Sequence, residues 1–369
     1  MGKKLKKNVP VLRFPEFKGN WEEKRLEELF LEFKSGYNIT SEDITDHSTY
    51  PVFGGNGLRG FADKFTHDGF YFLIGRQGAL CGNINRTYGK AYISEHAIAC
   101  KANDTSDTEW LAQRLDYYNL NRLSESSAQP GLSVNKLLRF KLFVPSKAEQ
   151  EKIASFLGAV DRRLTQLRRK QELLQTYKRG VMKKIFSQQI RFTQPDGCPL
   201  PDWERKRLEE LFSEFKSGYG ITSDEITEHG TYPVFGGNGL RGYTEKFTHD
   251  GFYFLIGRQG ALCGNIHRTY GKTYISEYAI ACRANDTANT EWLAQRLDYY
   301  NLNKLSESSA QPGLSVNKLL RFKLLVPSKE EQEKIANFLT VIDRKIEALS
   351  RQIDQTEKFK KGLLQKLFV

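Results

Sequence analysis

The strongest constraint on the fold is that the chain contains one long module twice. Aligning Trp21 with Trp203 at a constant offset of 182 brings 166 positions into register without a gap. From 21 to 147, 109 of 127 positions are identical, whereas from 148 to 186 only 16 of 39 are. A unit of this length is far longer than a solenoid repeat. The sequence therefore predicts two whole domains of one fold, which suits a chain of 369 residues.

Each copy ends in a stretch whose apolar residues recur every three and four positions, the heptad pattern of a coiled-coil helix. The first run spans 146–186, and at roughly 1.5 Å per residue its 41 residues form a helix of about 60 Å. The second run lies in 328–369 of the same chain, which predicts that the two helices pair with each other. The seam positions are Ile153, Leu157, Val160, Leu164, Leu167, Gln171, Leu174, Lys178, Val181 and Ile185, and then Ile335, Leu339, Ile342, Ile346, Leu349, Ile353, Thr356, Lys360, Leu363 and Leu367.

The remainder of each copy has the pattern of an α/β domain. The link over 188–202 contains several prolines, so it cannot be helical and separates the copies. We therefore predict an α+β protein with domains 1–145 and 193–327 and helical regions 146–192 and 328–369. In the first copy, helices are expected over 22–34 and 109–120, and strands over 49–53, 69–74, 90–94, 97–100 and 141–144.

Positive charge is concentrated outside the two globular regions. The chain has 56 Lys and Arg against 44 Asp and Glu, a net charge of +12. Residues 146–192 carry +8 and residues 1–20 carry +5, whereas 21–145 carry −2 and 203–327 carry +1. A basic chain favours a polyanionic partner. The alternative is that these charges only form a solvated helix face. Both interpretations stay open at this point.

Neither the cysteines nor the hydropathy indicates a metal site, a disulfide framework or a membrane segment. The five cysteines have no C-x-x-C spacing, and four of them are two pairs of equivalent repeat positions. The N-terminal stretch is basic without a following apolar segment, and no run is long enough to span a bilayer. We expect a cytoplasmic protein without a bound metal or cofactor. The cysteines are Cys81, Cys100, Cys198, Cys263 and Cys282.

Three motifs resemble catalytic or ligand sites, and each lacks a required part. The run FGGNG at 53–57 is not followed by a helix, as a dinucleotide-binding loop would be. Asp196 with Glu204 and Lys206 resembles a metal-dependent nuclease cluster, but half of it has no counterpart in the first copy. His67, repeated as His249, has no third ligand at metal spacing, which favours a hydrogen-bonded turn. No catalytic residue is therefore assigned.

The stretch 69–94 is basic and glycine-rich and predicts a DNA-binding surface. Arg, Asn and Gln side chains can form bidentate bonds to base edges, and glycines let a loop approach a phosphate closely. The alternative is a glycine-rich hairpin whose arginines pair only with local carboxylates. The candidate contacts are Arg76, Gln77, Asn85, Arg86 and Lys90, their counterparts Arg258, Gln259, His267, Arg268 and Lys272, and Gln129 and Gln311 in the polar SSAQPG loops.

The segment 132–161, LSVNKLLRFKLFVPSKAEQEKIASFLGAVD, resembles the specificity subunits of Type I restriction-modification systems. The family pattern is a strand, a proline, Glu-Gln, and then Ile, Leu and Asp at helical spacing. Residues 178–192 and 199–212 are similar to the family's helix end and domain start. The matching residues are Pro145, Glu149, Gln150, Ile153, Leu157 and Asp161, and again Pro327, Glu331, Gln332, Ile335, Leu339 and Asp343.

The resemblance implies a non-catalytic subunit that recognises double-stranded DNA within a larger complex. Its two target recognition domains would be related by a pseudo-two-fold and separated by the long helices, which pair as an antiparallel coiled coil. Each domain would read one half of a split target. The implied partners are two methyltransferase (modification) subunits, which methylate adenine with S-adenosylmethionine, and restriction subunits, which are ATP-hydrolysing translocases.

The near-identity of the two recognition domains departs from the family's usual pair of unlike domains. Two equal readers related by a two-fold face opposite strands, so we expect half-targets of the same sequence in inverted orientation. Substitutions such as Asn38 to Gly220, Asn85 to His267 and His96 to Tyr278 would make the halves differ if they read a base. Two alternatives stay open: a single-chain restriction endonuclease, and a coiled-coil adaptor without a DNA role.

Overall fold

The chain forms a mixed helix-and-sheet fold with two sheet-rich domains and two long helices, which confirms the predicted fold class. The structure is a computed structural model that describes residues 9–78, 80–124, 130–260, 262–306 and 313–368. Two compact units are present, Met1–Arg169 with Arg351–Val369, and Lys170–Ser350. Each unit contains one sheet-rich domain and part of each long helix. Within the described ranges, no helix is long and apolar enough to cross a membrane.

The sheet-rich domain of the first unit contains three small sheets. Its elements in chain order are β1 (Glu22–Arg25), β2 (Phe30–Ser35), β3 (Tyr50–Gly54), β4 (Gly57–Ala62), β5 (Tyr71–Gly75), β6 (Ile84–Thr87), β7 (Tyr92–Ile93), β8 (Ala97–Ala102), α1 (Thr108–Tyr118), α2 (Val134–Leu138) and β9 (Lys141–Val144), followed by the long helix α3 (Lys147–Phe186). Strands β2, β8, β5 and β6 form an antiparallel sheet in that order. Strand β3 lies between antiparallel β4 and parallel β7, and β1 pairs with β9.

The second unit repeats these elements and their order. They are β10 (Glu204–Arg207), β11 (Phe212–Ser217), β12 (Tyr232–Gly236), β13 (Gly239–Thr244), β14 (Tyr253–Gly257), β15 (Ile266–Thr269), β16 (Tyr274–Ile275), β17 (Ala279–Ala284), α4 (Thr290–Tyr300), α5 (Val316–Leu320), β18 (Lys323–Val326) and the long helix α6 (Lys329–Leu367). The sheets have the orders β11-β17-β14-β15, β13-β12-β16 and β10-β18. The duplicated sequence thus folds the same way twice.

A strand buried on both faces organises each domain. In the first domain, β5 is buried along its whole length. Phe72 and Ile74 belong to the core shared with α1, whereas Tyr71 and Leu73 pack in a separate cluster on the other face. The loop that follows β5 begins with Arg76, so the core fixes where this predicted contact residue leaves the sheet.

The helix predicted over 22–34 is wrong. The segment forms β1 and β2, with one 3₁₀ turn, Leu26–Glu28, between them. The helix-like spacing of Phe30 and Phe33 arises from a bulge, because the register against β8 shifts between Phe30 and Glu32. The bulge brings the two rings together, with 4.9 Å between their centroids. Pairing with distant strands therefore outweighs the local helical pattern.

The heptad seams pair the two long helices antiparallel inside each unit. In the first unit, Lys360 Nζ lies 2.6 Å from the carboxylate of Asp161. Further along, Arg168 contacts Glu357, also at 2.6 Å. Residue numbers therefore rise along α3 as they fall along α6. This confirms the antiparallel pairing that the resemblance implies.

The second unit forms the same lysine–aspartate contact, but its lysine comes from α3 and its aspartate from α6. There Lys178 of α3 lies 2.6 Å from Asp343 of α6, the repeat equivalents of the lysine and aspartate in the first unit. Gln171 donates a hydrogen bond to Ser350 at 2.6 Å, which again requires antiparallel helices. The polar residues that interrupt the predicted seams thus have partners. Polar pairs at seam positions fix the helix register at some cost in stability.

A buried glutamate at the start of α3 anchors the first domain to this helix. Glu149 is 1% exposed and accepts hydrogen bonds from Arg13 Nε and Nη2 at 2.8 and 2.7 Å. The indole of Trp21 donates a third bond to it at 3.3 Å. The adjacent Gln150 accepts the backbone N–H of Asp107 at 2.9 Å, just before α1. A buried carboxylate needs such partners, so the Glu-Gln pair of the family pattern has a structural role here.

The second domain has the same anchor. Its arginine shows that the repeat begins before Trp21 and Trp203. Glu331 is 0% exposed and accepts bonds from Arg191 at 3.3 and 2.8 Å and from Trp203 at 3.0 Å. Both anchoring arginines are followed by a phenylalanine that packs edge-on against the long helix. Arg191 precedes its tryptophan by 12 positions, whereas Arg13 precedes Trp21 by 8. The constant offset hides this part of the repeat, because the linker carries four extra residues.

Each domain also packs on the end of the other long helix. In the first unit, Phe368 after α6 packs edge-on against Trp110, with 6.2 Å between ring centroids. The backbone N–H of Leu12 donates to the carbonyl of Lys366 at 2.9 Å. In the second unit, Phe186 at the end of α3 packs against a tyrosine of α4 at 5.1 Å. Each domain is therefore held between the start of one long helix and the end of the other.

Gly180 and Gly362 lie inside α3 and α6, where a glycine usually marks a close helix approach or a break. Neither occurs, because both helices continue past the glycine and an added Cβ would meet no described atom within 4 Å beyond the helix's own backbone. Glycine inside a helix costs about 1 kcal/mol relative to alanine. We expect Gly180→Ala and Gly362→Ala each to raise the free energy of unfolding by about 0.5–1 kcal/mol in denaturant titrations. A loss of stability would contradict the open environment.

The exchanged lysine–aspartate pairs determine how two halves of the chain should associate. We expect halves cut at Gly197 to reassociate through the seams. Reversing the charges in the first half with Asp161→Lys and Lys178→Asp places like charges in contact and should weaken association by about 1 kcal/mol per pair. Reversing the second half as well, with Asp343→Lys and Lys360→Asp, should restore it. Sedimentation equilibrium measures the four combinations, and equal association in all of them would rule out this role for the pairs.

Candidate nucleic-acid interface

A tight turn between β3 and β4 brings several of the predicted contact residues together. Gly57 has a φ of +96°, which favours glycine. A Cβ on Gly55 would lie 2.8 Å from the carbonyl oxygen of His96, and one on Gly57 would lie 3.2 Å from Oδ1 of Asn85. We call this region the glycine-turn surface. It comprises 54–57, Arg59, Arg76, Gln77, Asn85 and His96 in the first domain, and 236–239, Arg241, Arg258, Gln259, His267 and Tyr278 in the second.

Arg76 is fixed at this surface by both its backbone and its side chain. Its backbone N–H donates to the carbonyl of His96 at 3.0 Å, and its carbonyl accepts the N–H of Leu132 at 3.0 Å. Its Nη1 donates to Ser35 Oγ at 3.1 Å. A guanidinium has five N–H donors, so this bond leaves most of them for an outside partner. Arg258 makes the two equivalent backbone bonds in the second domain.

Gln77 is exposed next to Arg76 and forms an isolated bridge with Gly131. Gln259 forms the same bridge with Gly313 in the second domain. The bridges tie the loop after the central strand to the last residue of each SSAQPG loop. The predicted contacts Gln129 and Gln311 themselves lie outside the described residues.

Asn85 and His267 occupy equivalent half-buried positions on β6 and β15, facing the glycine turn. Nε2 of His267 is buried and has no hydrogen-bond partner among the described residues. Burial lowers the pKa of His267, and the charge of Arg268 lowers it further, so the ring is neutral at neutral pH. The two domains therefore present an amide and a neutral imidazole at the same place.

Arg86 projects from the opposite face of β6, because successive strand side chains alternate. Its Nε and Nη2 contact both carboxylate oxygens of Glu109 on α1 at 2.8–3.1 Å. Arg268 and Glu291 form the same ion pair. Burial lowers the pKa of Arg86, but its bonds to Glu109 more than offset this and it stays charged. The arginine and glutamate line a groove of about 1220 Å³ within the first unit.

Lys90 and Lys272 are exposed and lie over aromatic rings. Lys90 Nζ is 4.7 Å from the ring centroid of Phe65, and Lys272 Nζ is 4.8 Å from that of Phe247. A cation–π contact orients an ammonium without occupying its hydrogen-bond donors. Both lysines can therefore still contact an anion.

The motifs that resemble catalytic or metal sites have local partners. His67 is 5% exposed, with Nδ1 2.7 Å from Thr66 Oγ1 and Nε2 3.3 Å from Glu32 Oε1. Burial lowers the pKa of His67, although Glu32 acts to raise it. No group of three His, Cys, Asp or Glu residues that could hold a metal occurs within the described ranges. In the linker, Asp196 accepts a backbone N–H at 2.9 Å, and Glu204 pairs with its neighbouring lysine at 3.0 Å.

Two surface features were not predicted from the sequence. Arg59 packs against the glycine turn, and its counterpart Arg241 lies over the ring of Tyr278 at 5.1 Å. Phe70 and Tyr88 stack with their planes 6° apart, and Tyr88 is 67% exposed. Arg59 precedes the predicted binding stretch, the aromatic pair lies within it, and both features recur in the second copy. Their repetition is the sequence signal that could have identified them.

Comparisons with known proteins match both copies of the repeat. The family model described as the Type I restriction modification DNA specificity domain matches residues 18–175 and 201–358. The specificity subunit of the Type I restriction enzyme EcoprrI from Escherichia coli is 41% identical over 155 residues, which cover 41% of this chain and 38% of that protein. A putative type I specificity subunit from Mycoplasma genitalium is 23% identical over 369 residues, covering 95% of this chain and 94% of that protein.

A solved structure shows the same fold along nearly the whole chain. The crystal structure of the S subunit of a Type I restriction-modification system from Mycoplasma genitalium has a TM-score of 0.78 at 21% identity. The match covers 98% of this chain and 99% of that chain. Since the family model accounts for both copies and for most of the sequence, the chain belongs to the family of Type I restriction-modification specificity subunits.

Proposed function

We propose that the chain binds a split target in double-stranded DNA, with the domains 1–145 and 193–327 each reading one half. The glycine-turn surface carries this proposal, because it occurs in both domains with the same arginine, glutamine and backbone contacts. Arginine, glutamine and asparagine are the side chains best suited to reading base edges in the major groove. The helical regions 146–192 and 328–369 separate the two readers along the duplex.

The proposed contacts divide by their geometry into base and phosphate contacts. Arg76 and Asn85 lie beside the glycine turn and Gln77 follows Arg76 in the chain, so these three residues and their counterparts are assigned to bases. Lys90 and Lys272 are exposed point charges and are assigned to phosphates. Gln129 and Gln311 stay in the proposed set, because the bridge between Gln77 and Gly131 brings the neighbouring chain to the same loop.

Arg86 and Arg268 require a more specific assignment. Their Nε and Nη2 atoms serve Glu109 and Glu291, so the geometry favours the local ion pair that the sequence left open. We assign to each a single phosphate contact through the remaining Nη1 donors. A bidentate contact to a base would first have to break a charge-assisted pair.

The repeated contacts support half-targets that are inverted relative to each other. Lys360 with Asp161 and Lys178 with Asp343 form the same contact with the two helices exchanged. Two equal readers related by a two-fold would face opposite strands. The target proposed here is therefore a split motif whose halves are close to reverse complements.

We assign the binding of the protein partners to the helical regions. Methylation and DNA cleavage are assigned to those partners. Tyr177 and Phe359 are equivalent helix positions, 53% and 56% exposed, and each precedes an uncrowded glycine by three residues. Exposed aromatics of this kind are typical anchors in protein interfaces. Since the site occurs twice, it fits two methyltransferase subunits, which would bring S-adenosylmethionine. Restriction subunits would join this complex and hydrolyse ATP.

We expect Arg76→Ala combined with Arg258→Ala to weaken target binding by about 1–3 kcal/mol per lost contact and to relax one position in each half. Lys90→Ala with Lys272→Ala should instead weaken binding to all sequences and reduce the dependence of log K on log salt by about one unit per lysine. Fluorescence anisotropy with target and scrambled duplexes at several salt concentrations separates the two effects.

The matched control for this experiment is Arg25→Ala with Arg207→Ala. These arginines are also repeat equivalents, but they are exposed on β1 and β10 and pair with neighbouring glutamates. Target binding should be unchanged in the control. Unchanged binding in the Arg76 and Arg258 variant as well would show that the surface is misassigned.

We expect Tyr177→Ala with Phe359→Ala to lower the affinity for the methyltransferase subunit by about 2 kcal/mol or more, because both rings are exposed anchors. Thermal stability should change little. Leu31→Ala is the control, since Leu31 is 72% exposed but lies on a recognition domain. Calorimetric titration measures the affinities, and equal values for all three proteins would place the docking site elsewhere.

A further inference from the structure

Residues 21–147 and 203–329 differ at 18 of 127 positions, and most of the differences preserve local contacts. Asp107 and Asn289 both cap the following helix, accepting a tryptophan backbone N–H at 2.7 and 2.8 Å. Asn38 and Gly220 both use their backbone carbonyl, which accepts a tyrosine hydroxyl at 2.7 Å. Such substitutions leave the shape of the domain unchanged.

Two substitutions change the chemistry of the glycine-turn surface. The first replaces the amide of Asn85 by the imidazole of His267, each of which lies 3.2 Å from where a Cβ on the turn glycine would be. An amide donates and accepts side by side, so it can bind an adenine through two bonds. A neutral imidazole has its donor and acceptor on opposite sides of the ring and cannot form this pair of bonds.

The second substitution replaces His96 by Tyr278. It changes the surroundings of the arginine that both copies have in the strand after the glycine turn, Arg59 or Arg241. His96 Nε2 lies 3.1 Å from a carboxylate oxygen of Glu95. Tyr278 instead lies under the guanidinium of Arg241, 5.1 Å from its ring centroid. The backbone at both positions still accepts the N–H of the arginine at 76 or 258. The change is therefore confined to side chains at the surface.

We propose that the two half-targets are not identical, and that they differ where the duplex faces Asn85 in one domain and His267 in the other. This inference rests on the proposed function. The half read by the first domain has an adenine at this position, and the half read by the second domain has another base. The split motif is thus an interrupted palindrome with one asymmetric position.

The environment of His267 supports a changed contact at this position. Its buried Nε2 has no hydrogen-bond partner among the described residues, which is unfavourable for a polar atom. Turning the ring towards a bound base edge would satisfy this atom. Asn85 fits the same place with its amide oxygen against the turn and has no such unsatisfied atom among those described.

The test is selection of bound duplexes from a random library by the full-length chain with its methyltransferase subunit, followed by sequencing. The expected motif has two inverted halves that differ at one position. A perfect palindrome would overturn this inference and leave the proposed function intact. The absence of any enriched split motif would instead overturn the proposed function.

Exchange of the two residues tests their role directly. His267→Asn with Tyr278→His should convert the motif into a palindrome of the first half, and Asn85→His with His96→Tyr into a palindrome of the second. Asp107→Asn is the matched control, because Asn289 makes the same helix cap, and it should leave the motif unchanged. An asymmetric motif that survives both exchanges would overturn the assignment to these residues.

Discussion

The buried carboxylates of Glu149 and Glu331 are the interactions on which the remaining structure depends. Each binds an arginine and an indole that come from the chain entering the domain, while the carboxylate itself belongs to the helix leaving it. Removing one partner would leave a charge buried without compensation, which is strongly unfavourable. Because the next residue, Gln150 or Gln332, also binds the start of the domain helix, each domain cannot turn relative to the base of its long helix.

The domains are nearly identical while the helices have diverged, and their different packing neighbours account for this. A residue in a domain packs against the same neighbours in both copies, so its surroundings are duplicated with it. A seam residue packs against the other helix and needs only to complement its partner there. The lysine of each seam and the aspartate that it meets are retained, because Lys178 meets Asp343 and Lys360 meets Asp161, whereas most apolar seam positions exchange among Leu, Ile and Val.

The sequence predicted those features whose signal lies within one element. The long helix expected at 146–186 is Lys147–Phe186, and the strand expected at 141–144 is Lys141–Val144. Features that depend on distant pairing were not predictable: the bulge beside Phe30 imitates helical spacing, and the contact of Arg86 with Glu109 requires β6 to lie against α1. The proposed contact residues were therefore predicted as one segment, but their division between two faces of β6 came from the folded structure.

The distribution of charge suggests that DNA affinity and base specificity come from different parts of the chain, the basic helical region and the nearly neutral domains. Residues 21–145 and 203–327 carry net charges of −2 and +1, so neither domain attracts DNA strongly by its overall field. In the proposed function, sequence reading there relies on a few well-placed donors, and Arg76 suits this role because its guanidinium makes a single hydrogen bond, to Ser35, among the described residues. In the same proposal, the +8 of residues 146–192 supplies the long-range attraction instead. A change in the glycine turn can therefore alter which bases are read without a comparable loss of non-specific affinity, and this makes an exchange such as Asn85 for His267 a feasible route to a new target.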